Sequence, residues 1–270
     1  MNTERGTVSV RDLRKFFFDE SRGEVRAVDG VTFACQPGEV FGLLGANGAG
    51  KTTTLRVLST VLKPTDGEAS IMGHDVVAEP EAARESIGFY SASTALYPRL
   101  TARETLTFFA RINHYPEARI EERVEALVDR FGIEEYVNAR VEKLSSGMKQ
   151  KVSIARTIAH DPPVLIFDEP TVGLDVLNAL EMVKMIRELR SEGKTIIFSS
   201  HIMSEVEKLC DRIAIIHRGN LLALGTLESM REETGHHYLE DIFVDHVTRA
   251  EGLEGAAMGV AGELEGEEAP

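Results

Sequence analysis

The chain has 270 residues, 43% apolar and 27% charged, with 44 Asp plus Glu against 30 Lys plus Arg and a formal net charge of -14. That length suffices for one large domain, alone or with a subdomain, and for a substantial core. The acidic balance argues against broad nucleic-acid binding, which relies on clustered positive charge, so no nucleic-acid partner is expected. Cys35 and Cys210 lie far apart without a C-x-x-C partner and read as small buried hydrophobes in a reducing compartment. Met1 to Gly6 leads into a polar stretch with no apolar signal region. No run reaches the ~18 apolar residues of a membrane span, so any work at a membrane is expected to pass through another chain.

In chain order, Thr7-Val8-Ser9-Val10 predicts a strand, and Ala27 to Phe33 predicts another carrying an Asp29-Gly30 turn signal. Pro37-Gly38 punctuates the chain before the apolar run Val40-Phe41-Gly42-Leu43-Leu44, which reads as a buried strand. About Leu96 to Met148 reads as helical: Thr101-x-x-Glu104 is a capping-box pattern, and Ile120, Val124, Leu127, Val128 and Phe131 form a stripe at helical spacing. Strands then alternate with helices: Val164 to Phe167, a helix from about Leu177 to Glu192, and Thr195 to Ser199. Arg212 to His217 and Leu221 to Leu224 flank Gly219-Asn220, a hairpin turn signal. Leu239, Ile242, Phe243 and Val247 make a short amphipathic helix, expected to pack on its own domain rather than on a partner. Glu251 to Pro270 holds six glutamates and no basic residue, the composition of a disordered tail. The order predicts an α/β fold with a parallel-sheet core, an antiparallel β layer and an inserted helical subdomain. The expected divisions are 1–230 for the main domain with its helical part at about 96–148, 231–250 for the terminal helix and 251–270 for the tail.

Residues 45 to 52 read Gly45-Ala46-Asn47-Gly48-Ala49-Gly50-Lys51-Thr52, a complete G-x-x-x-x-G-K-[ST] loop between a predicted strand and a helix opening at Thr52-Thr53-Thr54. Glycines let the backbone fold around phosphate oxygens, so several N–H groups and the helix N-terminus point at one anion. Lys51 would reach the β- and γ-phosphates, and the Thr52 hydroxyl would complete a Mg²⁺ site. A nucleoside triphosphate is the expected ligand. Farther on, Val164-Leu165-Ile166-Phe167-Asp168-Glu169 is an apolar strand ending in paired carboxylates. Strand ends of an α/β sheet are where ligands bind. Asp168 fits the carboxylate that holds Mg²⁺, directly or through water, and Glu169 fits a general base for the attacking water.

Between these motifs lies Leu144-Ser145-Ser146-Gly147-Met148-Lys149-Gln150-Lys151, followed by Val152 to Arg156. This resembles the signature motif and helix of ABC ATPases, although that family's usual pattern has Gly where Ser146 stands. Gly173-Leu174-Asp175 resembles the family's D-loop, and Ser199-Ser200-His201 its switch histidine. The motifs stand in family order, and the resemblance covers roughly Thr7 to Thr226.

The resemblance implies two copies stacked head to tail with ATP sandwiched between them, each site taking the phosphate loop of one copy and the signature of the other. Ser145, with N–H groups near Ser146 and Gly147 at a helix start, offers donors and a positive dipole end to the γ-phosphate. His201 is implied to contact the γ-phosphate and the attacking water; the other seven histidines read as ordinary surface or core residues. Adenine would stack on an aromatic residue, Phe17 being the best aligned with Phe16 and Phe18 beside it; simple packing is as good a reading for each. Where most of the family carries a Gln, Ala92 stands. Its methyl group can neither ligate metal nor accept a hydrogen bond, so Ser91, Ser93 or a water is expected to take over that contact.

The stretch Ile87 to Glu104, Lys149-Gln150-Lys151 and Ser199 to Glu207 resemble the ATP-binding subunits of bacterial sodium-efflux and related drug exporters. What this implies is a cytoplasmic ATPase, peripheral on the inner face of the membrane, that powers a separate integral permease whose helix docks near Ser91 to Thr101. The alternative is a soluble ABC ATPase acting in translation, repair or cofactor assembly. Such members usually hold two such domains in one chain or long coiled coils, and this chain has one phosphate loop and no sustained heptad region.

Overall fold

Two long strands open the chain, β1 (Val8–Asp19) and β2 (Gly23–Cys35), and the short strand that follows, β3 (Val40–Leu44), is buried at every position. The chain continues through α1 (Lys51–Leu58), β4 (Asp66–Ile71), β5 (His74–Asp75), α2 (Pro80–Glu85) and β6 (Ile87–Ser91). Then come three helices, α3 (Ala102–Ile112), α4 (Ile120–Phe131) and α5 (Ser146–Thr157). After them, β7 (Val164–Asp168), α6 (Val176–Ser191), β8 (Thr195–Ser200), α7 (Met203–Leu209), β9 (Arg212–His217), β10 (Asn220–Gly225), α8 (Leu227–Thr234) and α9 (Leu239–Ala250) complete the fold. This computed structural model describes residues 7–21, 23–91 and 94–252. Ala92, Ser93 and the acidic stretch from Leu253 onward lie outside the described residues.

A six-stranded sheet runs in the order β10-β9-β3-β8-β7-β6, parallel except for β10, and a four-stranded antiparallel sheet runs β2-β1-β4-β5. Strands β3, β7 and β8 are wholly buried because the larger sheet is covered on both faces, and such strands read as continuous apolar runs. On one face Leu44, Leu165, Phe167 and Phe198 pack with apolar residues of α3 to α7 and α9. On the other, Phe41, Leu43, Ile166 and Ile197 meet Leu55 and Leu58 of α1 and the inner side of the antiparallel sheet.

The predicted strand–helix alternation holds, and three details differ. The Asp29-Gly30 pair makes no turn: it is taken up inside β2, where the register slips from Leu13↔Val31 to Arg14↔Asp29. The last hairpin turns one residue earlier than its Gly-Asn signal, at Arg218 (φ 46°) and Gly219 (φ 81°), while Asn220 already pairs with His217. The two positive φ values suit the twist of a tight hairpin. Gly219 also ties the layers, donating its N–H to Ala49 O at 2.8 Å and accepting Asp29 N–H at 2.8 Å. Third, Glu251, grouped by composition with the tail, lies 3.0 Å from His217 Nε2 and 2.8 Å from an Arg218 guanidinium nitrogen.

The capping box at α3 forms as expected: Thr101 Oγ1 accepts from Glu104 N–H and Glu104 accepts from Thr101 N–H. The stripe of α4 buries Ile120, Val124, Leu127 and Val128. Helix α9 buries Leu239, Ile242 and His246 against its own domain, alongside α7, α8 and β10.

Candidate active site

Parallel register decides what meets at the end of the larger sheet. Leu44 at the end of β3 stands beside Ser200 of β8, Asp168 of β7 beside Ser199, and Ser91 of β6 beside Asp168. The chain leaves β3 directly into the glycine loop, so the loop lies over the carboxylates that end β7. Two of its glycines are required. Gly50 caps α1 at φ 110°, where a Cβ would come within 2.4 Å of Ala27 O; at Gly45 a Cβ would come within 2.3 Å of Ile216 O.

Lys51 is only 4% exposed, yet its charge is heavily used. Nζ donates to Gly45 O at 2.6 Å and Ala46 O at 3.2 Å, and stands 2.9 Å from Glu169 Oε1. Among the described residues no hydrogen bond of regular geometry reaches Glu169 Oε1, so the approach of Lys51 is a charge contact. The other carboxylate oxygen, Oε2, lies 2.7 Å from His201 Nδ1. Glu169 takes a left-handed φ of 49°, and its N–H is held by Ser199 Oγ at 3.0 Å. Beside it, the Thr52 hydroxyl donates to Asp168 Oδ1 at 3.1 Å and the Ser199 hydroxyl donates to the same oxygen at 2.8 Å. Burial pushes the proton affinity of Asp168 up; the hydroxyls of Ser199 and Thr52 pull it back.

A cleft of about 160 Å³ is lined by Ala27, the loop from Ala46 through Gly50, Lys51, Thr52, Thr53 and Glu169. Thus Lys51, Thr52, Asp168, Glu169 and His201 form one connected group, with Asn47, Gly48 and Thr53 at the rim. Ser145, Ser146 and Gly147 are not part of it. Ser145 caps α5, accepting Met148 N–H at 3.3 Å, and both serines are exposed on another face. Ser146 and Gly147 instead border a separate cavity with Ser91, Gly173, Leu174 and Asp175. Phe17 lies outside the cleft lining, paired with Val25 two residues from Ala27, with Lys15 Nζ 5.1 Å from its ring centre. Phe18 is 84% exposed, and Phe16 lies under the Arg26 guanidinium.

Sequence reasoning missed Ser199 as an organiser: one side chain fixes both Asp168 and the Glu169 backbone. Its signal was a hydroxyl in an apolar strand, and the structure sets it directly beside Asp168 in register. It also missed Glu205, whose carboxylate accepts from Thr171 Oγ1 at 2.8 Å and Ser200 Oγ at 3.1 Å, bracing the segments before and after the Glu169–His201 contact.

The ABC transporter family pattern matches residues 28–172. The chain is 42% identical over 243 residues to the ABC transporter ATP-binding protein NatA of Bacillus subtilis (strain 168), covering 90% of this chain and 98% of the relative. It is 36% identical over 237 residues to the daunorubicin/doxorubicin resistance ATP-binding protein DrrA of Streptomyces peucetius, covering 87% and 72%. Among solved structures, an ATP binding subunit of an ABC transporter superposes with TM-score 0.81 at 32% identity, covering 89% of this chain and 99% of that one. The ATP-binding cassette MJ0796, in a dimeric post-hydrolysis state bound to ADP and Pi, superposes with TM-score 0.73 at 25% identity, covering 81% and 98%. The chain belongs to the ABC transporter family, as an ATP-binding subunit with ATPase activity.

Proposed function

Taking this chain as an ABC transporter ATP-binding subunit, we propose that it acts as a homodimer on the inner face of the cell membrane. There it powers a separate integral permease that exports an ion, such as sodium, or a small molecule. The relative named for daunorubicin/doxorubicin resistance supports the direction of transport, and supports it over the stand-alone ATPase reading. The observation that carries the catalytic part is the Lys51–Glu169–His201 contact set beside the Thr52–Asp168 pair.

In this reading the loop N–H groups from Asn47 to Thr53 and the Lys51 ammonium hold the β- and γ-phosphates of ATP. Mg²⁺ suits Thr52 and Asp168, because a hydroxyl and a carboxylate are the hard oxygen donors that ion takes. When bound it would offset phosphate charge. Glu169 accepts a proton from water as the water oxygen attacks the γ-phosphorus and the bond to the β-phosphate oxygen breaks, giving ADP and phosphate. His201 holds Glu169 Oε2 and orients it. Ser145, Ser146 and Gly147 serve the site of the other copy, which accounts for the exposure of the two serines and for the absence of all three from the lining of the Lys51 cleft. Phe17 remains the proposed adenine platform.

Pull-down of this chain from solubilised membranes of its source, with identification of the co-purifying polypeptides, tests the transport reading. A polytopic membrane protein recovered with it, whose presence raises ATP turnover in proteoliposomes, is the expected result. Recovery of soluble partners alone, under conditions that preserve membrane complexes, would sink it.

A further inference from the structure

Behind the phosphate loop stand Ile216 to Gly219, at the turn between β9 and β10. Gly219 N–H donates to Ala49 O at 2.8 Å. A Cβ at Gly45 would come within 2.3 Å of Ile216 O, and one at Gly50 within 3.4 Å of Gly219 Cα. The hairpin thus backs the loop at three of its residues. Among the described residues that line the Lys51 cleft, none belongs to this hairpin. A contact that holds the hairpin therefore holds the loop N–H groups that face phosphate, without itself touching nucleotide.

The turn needs holding. Arg218 takes φ 46°, a left-handed conformation that a residue with a Cβ keeps only where its surroundings enforce it. From within the hairpin, Asn220 Nδ2 donates to Arg218 O at 3.0 Å. From outside comes Glu251, the residue that caps α9. Its Oε1, an acceptor only, takes the His217 Nε2 hydrogen at 3.0 Å and stands 2.8 Å from an Arg218 guanidinium nitrogen. One oxygen thus meets two consecutive residues of the turn. The Glu251 and His217 side chains are 23% and 18% exposed, so their contact is shielded from water; Arg218 is 75% exposed and its pairing adds little. A carboxylate at a helix C-terminus opposes the helix dipole, so Glu251 gains nothing from α9 itself. Nor does α9 depend on it, because Leu239 and Ile242 are fully buried in the core.

We infer that Glu251 is a positioning residue for nucleotide binding: through His217 and Arg218 it holds the hairpin that backs the phosphate loop, and so sets the affinity for ATP from the end of α9. The inference goes beyond the function proposed above and requires neither the permease nor a second copy. The loop cradle serves the phosphates that ATP and ADP share, so both nucleotides are affected. Glu169 and Asp168 are held by Lys51, Ser199, His201 and Thr52 rather than by the hairpin, so the chemical step is spared once ATP is in place.

Calorimetry of ATP and ADP binding to the full purified chain with Mg²⁺, with KM and kcat measured alongside, tests this. Glu251→Leu should weaken both nucleotides about three- to tenfold, with KM rising to match and kcat moving less than about twofold. His217→Leu should do the same, and the double variant should lose no more than either alone, because the two side chains make one contact. Arg249→Gln breaks the Asp245–Arg249 pair, 2.8 Å across in the last turn of the same helix, and should leave affinity as it was. Should Glu251→Leu not fold, as its urea transition would show, Glu251→Gln keeps an acceptor for Nε2, loses only the charge and should weaken binding about two- to threefold. Unchanged affinity in a folded Glu251 variant overturns the inference. So does a loss that adds in the double variant, one that Arg249→Gln reproduces, or one that falls on kcat with KM unmoved.

Discussion

The phosphate-loop region and the signature region differ in how much of their chemistry is satisfied within one chain. Around Lys51 the polar groups answer one another: Lys51 with Glu169 and two loop carbonyls, Thr52 and Ser199 with Asp168, His201 with Glu169. Around Ser145 the serines are exposed, and the neighbouring Val172, Val176 and Leu177 face solvent. The first region is a finished half of a site; the second presents a surface without its counterpart. Under the proposed function a monomer suffices to hold phosphate, and turnover needs a second copy to bring the signature surface over the first.

Substitutions can break or sharpen that contrast. Glu169→Gln should lower steady-state ATP turnover by ~10²–10⁴-fold, the usual loss of a general base, while calorimetry still finds nucleotide bound by the isolated chain. If binding vanished as well, the first region would not be self-sufficient. Phe198 is fully buried beneath the site, and Phe198→Ala should cost about 3–5 kcal/mol in urea unfolding. A loss under 1 kcal/mol would show that the buried sheet is not what supports the loop. Acid should act on the helical side. Burial holds the folded-state pKa of His160 at about 4, below the ordinary value of 6.5. The unfolded chain thus takes up the proton first, so stability is whole above about pH 6.5 and falls by up to about 3 kcal/mol as the pH drops through 4. Urea midpoints at neutral and mildly acid pH, with His160→Gln showing a shallower fall than wild type, check this; parallel curves would clear His160. Ser145→Ala should cost about 1 kcal/mol through the lost helix cap. In the contrast drawn above it should also reduce hydrolysis without weakening nucleotide binding by the isolated chain, and weakened binding would mean that Ser145 serves its own site.

Much of this was legible in the sequence, for physical reasons that differ from place to place. The phosphate loop could be read because its glycines answer a local demand, the approach of Ala27 O to Gly50 and of Ile216 O to Gly45, that other residues cannot meet. The wholly buried strands could be read because burial on both faces leaves an unbroken apolar run. The Asp29-Gly30 pair misled because the dipeptide that makes a turn also accommodates a bulge, and pairing with β1 across that stretch decides between them. The roles of Ser199 and Glu205 could not be read along the chain, because their partners, Asp168 and Thr171, lie 31 and 34 residues away and are brought near by sheet register. Arg156, largely buried with its guanidinium 5.0 Å from the Phe109 ring centre, read as one more residue of the signature helix, since nothing in sequence shows that contact.

Gly219 carries a consequence for motion. Its peptide is bonded at once to Ala49 in the phosphate loop and to Asp29 in the antiparallel sheet, while the residue itself turns the hairpin at the edge of the parallel sheet. Surface glycine loops ordinarily exchange their amide protons by small private fluctuations. Here the Gly219 N–H is held by Ala49 O of the phosphate loop, so this amide should exchange only as that tie opens. Its protection in deuterium should follow the opening of that tie rather than the flicker of a surface turn, and the phosphate cradle should remain assembled between one nucleotide and the next.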